Sequence, residues 1–210
     1  MKNTFSKGFT LVELLIVITI LAALAAAVVV VLNPAELLAQ ARDAQRLTDM
    51  TTMRDAVNLF ITQAINRPSP NFLCTTGTGC TAGHCTIAVA PTTQPFATTC
   101  TTMALTAARA INGTGWVTVD FANNMHGGSP VAILPIDPVN NVNFFYGFRA
   151  HATNNTFRLA TRLESVRHRE MMRADGGPRS LCGGGTPTWT TADCFFEIGT
   201  NMIDGGVTGL

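Results

Sequence analysis

The sequence predicts an α+β fold in which a long N-terminal α-helix packs on an antiparallel β-sheet, with a disulfide-stapled loop between them. Three observations predict this fold. An apolar run from residue 9 to 32 is followed by helical periodicity to about residue 65. Segments rich in aromatic and β-branched residues begin at residue 116, and six cysteines all lie beyond the apolar run. An amphipathic helix buries one face, and a sheet is a suitable surface to cover it.

Length and charge limit the alternatives. The chain has 210 residues, and the apolar N-terminus inflates its 47% hydrophobic content, so the remainder indicates one ordinary globular domain. The formal net charge is +1. Such a small net charge produces no strong field, so it does not indicate nucleic acid as an obligatory partner.

The apolar run is long enough to cross a bilayer as a helix. Lys2 and Lys7 precede it, which places the leader, residues 1–8, on the cytoplasmic side and the C-terminal bulk outside. Gly8 precedes the run, so cleavage there would leave the anchor attached, unlike cleavage of a secretory signal. Glu13 lies inside the run, where an unpaired carboxylate costs several kcal/mol. A partner for Glu13 is therefore expected.

The segment KGFTLVELLIVITILAALA resembles the class III signal of type IV pilins and pseudopilins. In that family a prepilin peptidase cleaves after the glycine, here Gly8, and methylates the new amino group, here that of Phe9. The resemblance implies that Glu13 pairs with the Phe9 amine of a neighbouring subunit, so that each charge offsets the desolvation cost of the other. Residues 9–32 would then be the transmembrane and filament-core half of the helix.

The resemblance implies a structural subunit of a type IV pilus, which polymerises through its N-terminal helix. The alternative is the major pseudopilin of a type II secretion system, and an anchored extracytoplasmic enzyme is a more distant one. Expected partners are other copies of the chain, the prepilin peptidase, and the assembly platform with its ATPase machinery. The precursor would sit in the inner membrane as a single-pass protein, and the product in an extracellular pilus or a periplasmic pseudopilus. No cofactor is expected.

The second half of the helix, residues 33–66, is amphipathic and is interrupted at Asn33-Pro34, because proline removes a backbone donor. Apolar residues recur every three or four positions and predict the buried face: Leu37, Ala41, Ala44, Leu47, Met50, Met53, Val57, Phe60, Ile61 and Ala64. Charged residues are predicted on the opposite face, toward water or neighbouring subunits: Arg42, Asp43, Arg46, Asp49, Arg54 and Asp55.

A Thr- and Cys-rich connecting loop is predicted over residues 67–115, with a short helix at 103–111. The disulfide candidates are Cys74, Cys80, Cys85, Cys100, Cys182 and Cys194. Their spacings lack the short Cys-x2-Cys pairs of a structural zinc site, so disulfides are favoured over metal. The connectivity is open, although Cys182 with Cys194 and two bridges among the other four is the most local arrangement.

Residues 116–210 are predicted to form the sheet domain, which includes a C-terminal Cys loop. The predicted strands are 116–121, 131–135, 144–148, 156–164 and 194–199. Between two of them, Asp137 has turn chemistry beside Pro138. The alternative role for Asp137 is that of a calcium ligand, since hard cations take clustered oxygens.

The remaining motifs point to no enzyme. The chain has no Gly-x-Ser-x-Gly elbow, no His-Glu-x-x-His pair and no phosphate loop with its lysine, and its four histidines are scattered. Residues 167–179 are locally basic, which leaves nucleic acid open as a partner, although a solvated loop is the favoured interpretation. The sequons at Asn112 and Asn154 are short motifs that could accept glycans.

Overall fold

The computed structural model describes residues 8–63, 73, 83–87, 91, 93–96, 100–150, 156–175 and 194–200. The chain divides into two compact units, Met1–Leu38 and Ala39–Leu210. In the first unit, α1 spans Leu11–Leu32, and its described side chains, up to residue 28, are exposed.

The predicted interruption of the helix is confirmed at Asn33. This residue adopts the left-handed conformation at φ 40° and ends α1, and asparagine tolerates that conformation better than most residues. The next helix, α2, spans Pro34–Gln63. Pro34 occupies its first position, where a backbone donor is not needed, and the Asn33 carbonyl accepts from the Glu36 amide at 3.0 Å.

The second unit contains a mixed five-stranded sheet, which confirms the α+β class. In chain order its elements are β1 (Gly83–Cys85), β2 (Cys100–Thr102), α3 (Leu105–Ala108), β3 (Gly147–Ala150), β4 (Phe157–Thr161), α4 (Met171–Ala174) and β5 (Phe196–Gly199). The strand order is β2-β1-β3-β4-β5. Three of the four pairings are antiparallel, and β1 with β2 is parallel.

Both faces of the sheet are covered. In the main core, Met50, Met53, Val57 and Phe60 of α2 pack with aromatic and aliphatic residues of the sheet and loops, among them Trp116, Phe121, Phe148, Phe157 and Leu159. A second cluster contains Cys85, Phe96, Cys100, Phe145, Ala160 and Phe195. Neighbours along β4, Leu159 and Ala160, belong to different clusters because successive side chains of a strand point to opposite faces.

Two predicted strands do not form. Residues 116–121 and 131–135 are not strands, although an isolated bridge joins Asn112 to Asp120. Their backbone groups have other partners: the Trp116 amide donates to the Ala108 carbonyl and the Leu134 amide to the Arg109 carbonyl. Both segments are therefore held by residues at the end of α3. This helix lies within residues 103–111, which confirms the short helix predicted there.

The buried face of α2 differs from the predicted face in its first half. The buried residues are Ala39, Asp43, Arg46, Met50, Met53, Ala56, Val57 and Phe60. Leu37 is 50% exposed, and Ala41 and Ala44 are also exposed. The placement of Asp43 and Arg46 toward water was therefore wrong, because acceptors and donors from distant loops satisfy both charges inside the protein.

Candidate functional site

The start of α1 is capped by Thr10, which fixes the position of Glu13 in the first turn. Thr10 Oγ1 accepts a hydrogen bond from the Glu13 amide at 3.2 Å, and the Thr10 carbonyl accepts from the Leu14 amide at 3.2 Å. The Thr-x-x-Glu spacing is that of a capping box. A carboxylate in this turn is also favoured by the helix dipole.

The junction between Gly8 and Phe9 is accessible in the precursor. Residues 8–10 precede the helix and have no regular structure, and the Phe9 side chain is 80% exposed. Apart from its chain neighbours, no residue that the structure describes has a heavy atom within 4 Å of the position that a Cβ on Gly8 would occupy. The described part of the chain therefore does not shield the peptide bond that the sequence predicts to be cleaved.

The surface of α1 is apolar and unpacked. The window Leu11–Val28 has a mean hydropathy of 2.8, and none of it is buried. Glu13 is the only charged residue in this window. The helix is long and apolar enough to cross a membrane. Exposed apolar area on this scale requires lipid or another protein surface.

Five charged residues join α2 to two loops that are distant in sequence. They are here called the charged clasp: Arg42, Asp43 and Arg46 of α2, with Asp137 and Glu164. At its centre, Arg46 Nε and Nη2 donate to Asp137 Oδ2 and Oδ1 at 2.7 and 3.0 Å. Arg46 Nη1 donates to Asp43 Oδ1 at 2.8 Å. The side chains of these three residues have 0% exposure. Burial would lower the pKa of Arg46, but hydrogen bonds and charges from Asp137 and Asp43 outweigh it and raise that pKa.

The charged clasp fixes the segment that follows β4. Asp43 Oδ1 accepts from the Glu164 amide at 2.9 Å, and Asp43 Oδ2 accepts from the Ser165 amide at 2.7 Å. Arg42 Nε donates to Glu164 Oε2 at 2.8 Å. Hydrogen bonds from Arg42 lower the pKa of Glu164. Two charged residues of α2, Asp43 and Arg46, thus hold two loops that are distant in sequence.

Asp137 is placed as a turn and ion-pair residue. Its Oδ1 accepts from the Val139 and Asn140 amides at 2.8 and 3.1 Å, in addition to Arg46. The positive charge beside this carboxylate is thus the guanidinium of Arg46. Among the residues that the structure describes, no three His, Cys, Asp or Glu groups are close enough to hold a metal ion.

The structure describes three of the six cysteine candidates, and two of these three are joined to each other. Cys85 of β1 and Cys100 of β2 form a disulfide, with Cα atoms 5.7 Å apart. Cys194 is also disulfide-bonded. Cys74, Cys80 and Cys182 lie outside the described residues.

Ser165, His168 and Asp43 lie together but lack the geometry of a catalytic triad. Ser165 Oγ lies 3.1 Å from His168 Nδ1, and Asp43 Oδ2 lies 3.7 Å from the same nitrogen. A triad needs the nucleophile and the carboxylate at different ring nitrogens. Ser165 is buried, and its hydroxyl accepts from the His168 amide at 3.2 Å, so it caps the turn that leads to α4.

The basic segment 167–179 is partly engaged with its own chain. Arg169 Nε donates to the Glu164 carbonyl at 3.0 Å, and Arg173 lies 3.5 Å from the Glu170 carboxylate. Residues 176–179, with Arg179, lie outside the described residues. These contacts favour the interpretation of the segment as a solvated surface turn.

Residues 4–29 match the family model described as the prokaryotic N-terminal methylation motif. This motif is the class III signal of type IV pilins and pseudopilins, and it points to a structural subunit, not an enzyme. It implies processing by a prepilin peptidase and assembly into a filament, and it fits a membrane-anchored precursor. The match covers the N-terminal segment alone. No curated protein and no solved structure matches the chain.

Proposed function

We propose that this chain is a structural subunit of a type IV pilus, made as an inner-membrane precursor and cleaved after Gly8. The observation that carries the proposal is the methylation motif at residues 4–29, which includes an apolar helix that is exposed from Leu11 to Val28. A soluble monomer with this surface would aggregate, whereas a membrane or a bundle of such helices removes it from water.

Cleavage after Gly8 supplies the charge that Glu13 needs. Hydrolysis of the Gly8–Phe9 peptide bond leaves an amino group on Phe9, and that group remains cationic when methylated. In a helical bundle, this amine and the Glu13 carboxylate of a neighbouring copy offset each other's desolvation cost. The pair would also set the axial register, because Glu13 is the only charge available within Leu11–Val28.

The stapled sheet domain supports a pilus more than a secretion pseudopilus. A disulfide joins the short strands β1 and β2, and Cys194 is also disulfide-bonded. Such cross-links suit a fibre outside the cell, which faces shear and proteases, because they limit unfolding of the domain.

The test is the intact mass and N-terminal sequence of the chain in material sheared from cells. A chain that begins at methylated Phe9 in sedimentable filaments supports the proposal. The same processed chain confined to the periplasm favours the pseudopilin alternative. A chain that begins at Met1, or one cut after the apolar run and found as a monomer, overturns both.

Gly8→Leu supplies a matched variant for this test. The space around Gly8 is open on the side of the described residues, so the substitution disturbs no packing with them. Loss of processing in this variant would therefore report what the peptidase requires at the cleavage site. Normal processing and filament formation by Gly8→Leu would contradict cleavage at this bond.

A further inference from the structure

A surface turn beside α3 presents Asn112 and Thr114 together. The sequence Asn112-Gly113-Thr114 is a sequon for N-linked glycosylation. Both Asn112 and Thr114 are exposed, whereas the residues that follow, from Gly115 to Val119, are buried. Gly113 between them is buried, so the two side chains of the sequon face solvent while the backbone that joins them and the segment that follows are covered.

The two side chains lie on the same side of the turn. Asn112 Oδ1 accepts from Thr114 Oγ1 at 2.7 Å and from the Thr114 amide at 3.3 Å. Gly113 between them has φ +83°, a conformation that glycine adopts without strain. The oxygen of the Asn112 side chain is thereby engaged by Thr114, and no described residue accepts a hydrogen bond from its Nδ2. An enzyme that must recognise both the amide nitrogen and the hydroxyl would meet them on one accessible surface.

The base of this turn is held at both ends. The Ile111 carbonyl accepts from the Phe121 and Ala122 amides at 2.9 and 3.2 Å, and the Trp116 amide donates to the Ala108 carbonyl at 3.1 Å. Trp116 has 0% exposure and belongs to the main core. A bulky group attached at Asn112 would therefore extend into solvent without displacing packed side chains.

From this geometry we propose that Asn112 is an attachment site for an N-linked oligosaccharide. The inference rests on the proposed function, because that function places the sheet domain outside the cytoplasmic membrane. The donor class is a lipid-pyrophosphate-linked oligosaccharide. Asn112 Nδ2 forms a bond to C1 of the first sugar, the bond from C1 to the pyrophosphate oxygen breaks, and the lipid pyrophosphate leaves. The Nδ2 proton passes to a base of the transferase, so no oxidant or reductant is needed.

The test is peptide mass spectrometry of the full chain purified from its own cells. Cleavage after arginine releases residues 110–149, which contain Asn112, separately from residues 150–158, which contain the second sequon at Asn154. Fragmentation should place a sugar on Asn112 in the first peptide. The exposed Asn123 lies in the same peptide, lacks a hydroxyl residue two positions later, and serves as the internal control.

Three variants separate the sugar from the fold. Asn112→Asp keeps an oxygen that accepts from Thr114 but removes the nucleophilic nitrogen, so it should lose the sugar and keep the turn. Thr114→Val should also lose the sugar, and Thr114→Ser should retain it. A sugar that persists in Asn112→Asp would be attached elsewhere and would overturn the inference.

The N-terminal residue is read from the same sample, which keeps the two proposals distinct. A start at methylated Phe9 with an unmodified Asn112 would overturn the glycan and leave the filament proposal intact. A start at Met1 would count against the filament proposal, and the Asn112 peptide would still decide the glycan: a sugar supports it and a bare asparagine overturns it.

Discussion

Arg46 of α2 and Asp137 of the loop before β3 form a bidentate ion pair in which neither side chain is exposed to solvent. The two residues are separated by 91 positions in sequence. Arg46 also contacts Asp43 and lies 4.7 Å from the centre of the Phe144 ring. A guanidinium suits this position because its planar fork can serve both carboxylates at once.

Replacing Arg46 by methionine should lower the free energy of unfolding by about 3–5 kcal/mol, since it leaves Asp43 and Asp137 buried without their cation. Thermal or denaturant unfolding of the full chain in detergent would measure the loss. Arg54→Met is the control, because its ion pair with Asp55 is exposed and should contribute about 0–1 kcal/mol. Adding Asp43→Asn and Asp137→Asn to Arg46→Met should restore part of the stability. Equal effects of Arg46→Met and Arg54→Met would contradict the role of the charged clasp.

Protonation of Glu164 in acid should make the domain less stable. Its folded-state pKa is lowered, first by hydrogen bonds from Arg42, whereas in the unfolded chain a glutamate has a pKa of about 4.3. The carboxylate therefore contributes stability above the unfolded-state pKa, and that contribution is lost as pH falls through the lowered pKa. Glu164→Gln should be less stable than the parent at neutral pH, with a difference that shrinks below about pH 4.3. Unfolding midpoints measured against pH would check this.

The exposed Glu170 provides the control for that titration, because its side chain is 62% exposed. Glu170→Gln should show a small difference from the parent throughout the acid range. If the deficit of Glu164→Gln stayed constant from neutral pH into strong acid, the Arg42–Glu164 pair would not be the cause.

Tyr146→Phe should raise the pKa of Asp49 further. Burial already raises this pKa, while the hydrogen bond from the Tyr146 hydroxyl to Asp49 Oδ2, at 2.8 Å, lowers it. Removing the hydroxyl leaves the ring beside Trp116 but deletes the donor. Carboxyl NMR titration of parent and variant would report the change directly. An unchanged or lower pKa of Asp49 would show that the hydrogen bond does not stabilise the ionised carboxylate.

Glu13→Ala should abolish or greatly reduce filament assembly while leaving the sheet domain folded. Glu13 lies in a unit of the chain separate from residues 39–210, so the unfolding midpoint of the domain should not change. The filament yield, measured by sedimentation of sheared material, should fall because the Phe9 amine of a neighbour loses its counter-ion. Glu170→Ala is a control with a similar loss of charge at the surface. Filaments at parental yield from Glu13→Ala would refute the proposed pairing.

The N-terminal motif, the break at Asn33-Pro34 and the α+β class were predictable because each depends on local sequence. The charged clasp was not, since helical periodicity reveals only which side chains share a face. It does not reveal that the carboxylates of Asp137 and Glu164 arrive from far along the chain. The Asp43-x-x-Arg46 spacing was a faint signal, because residues three apart on a helix can pair.

The strand predictions for residues 116–121 and 131–135 were wrong, because apolar content alone does not indicate strand pairing. Trp116, Val117, Thr118 and Val119 are all buried, so the segment lacks the alternation of a half-buried strand. In contrast, β1 and β2 were missed because each has three residues in a Thr- and Cys-rich stretch with no apolar pattern. Their pairing depends on the tertiary structure and on the Cys85–Cys100 bond.

The Cys85–Cys100 bond also sets how far the chain can be drawn out under tension. It joins residues 15 positions apart, so the segment between them cannot lengthen while the bond is intact. At roughly 3.3–3.6 Å per extended residue, about 50 Å of contour is withheld from a pulled chain. A subunit loaded along a fibre would thus yield in shorter steps when oxidised than when reduced, and β2 would remain attached to β1 after the sheet had separated.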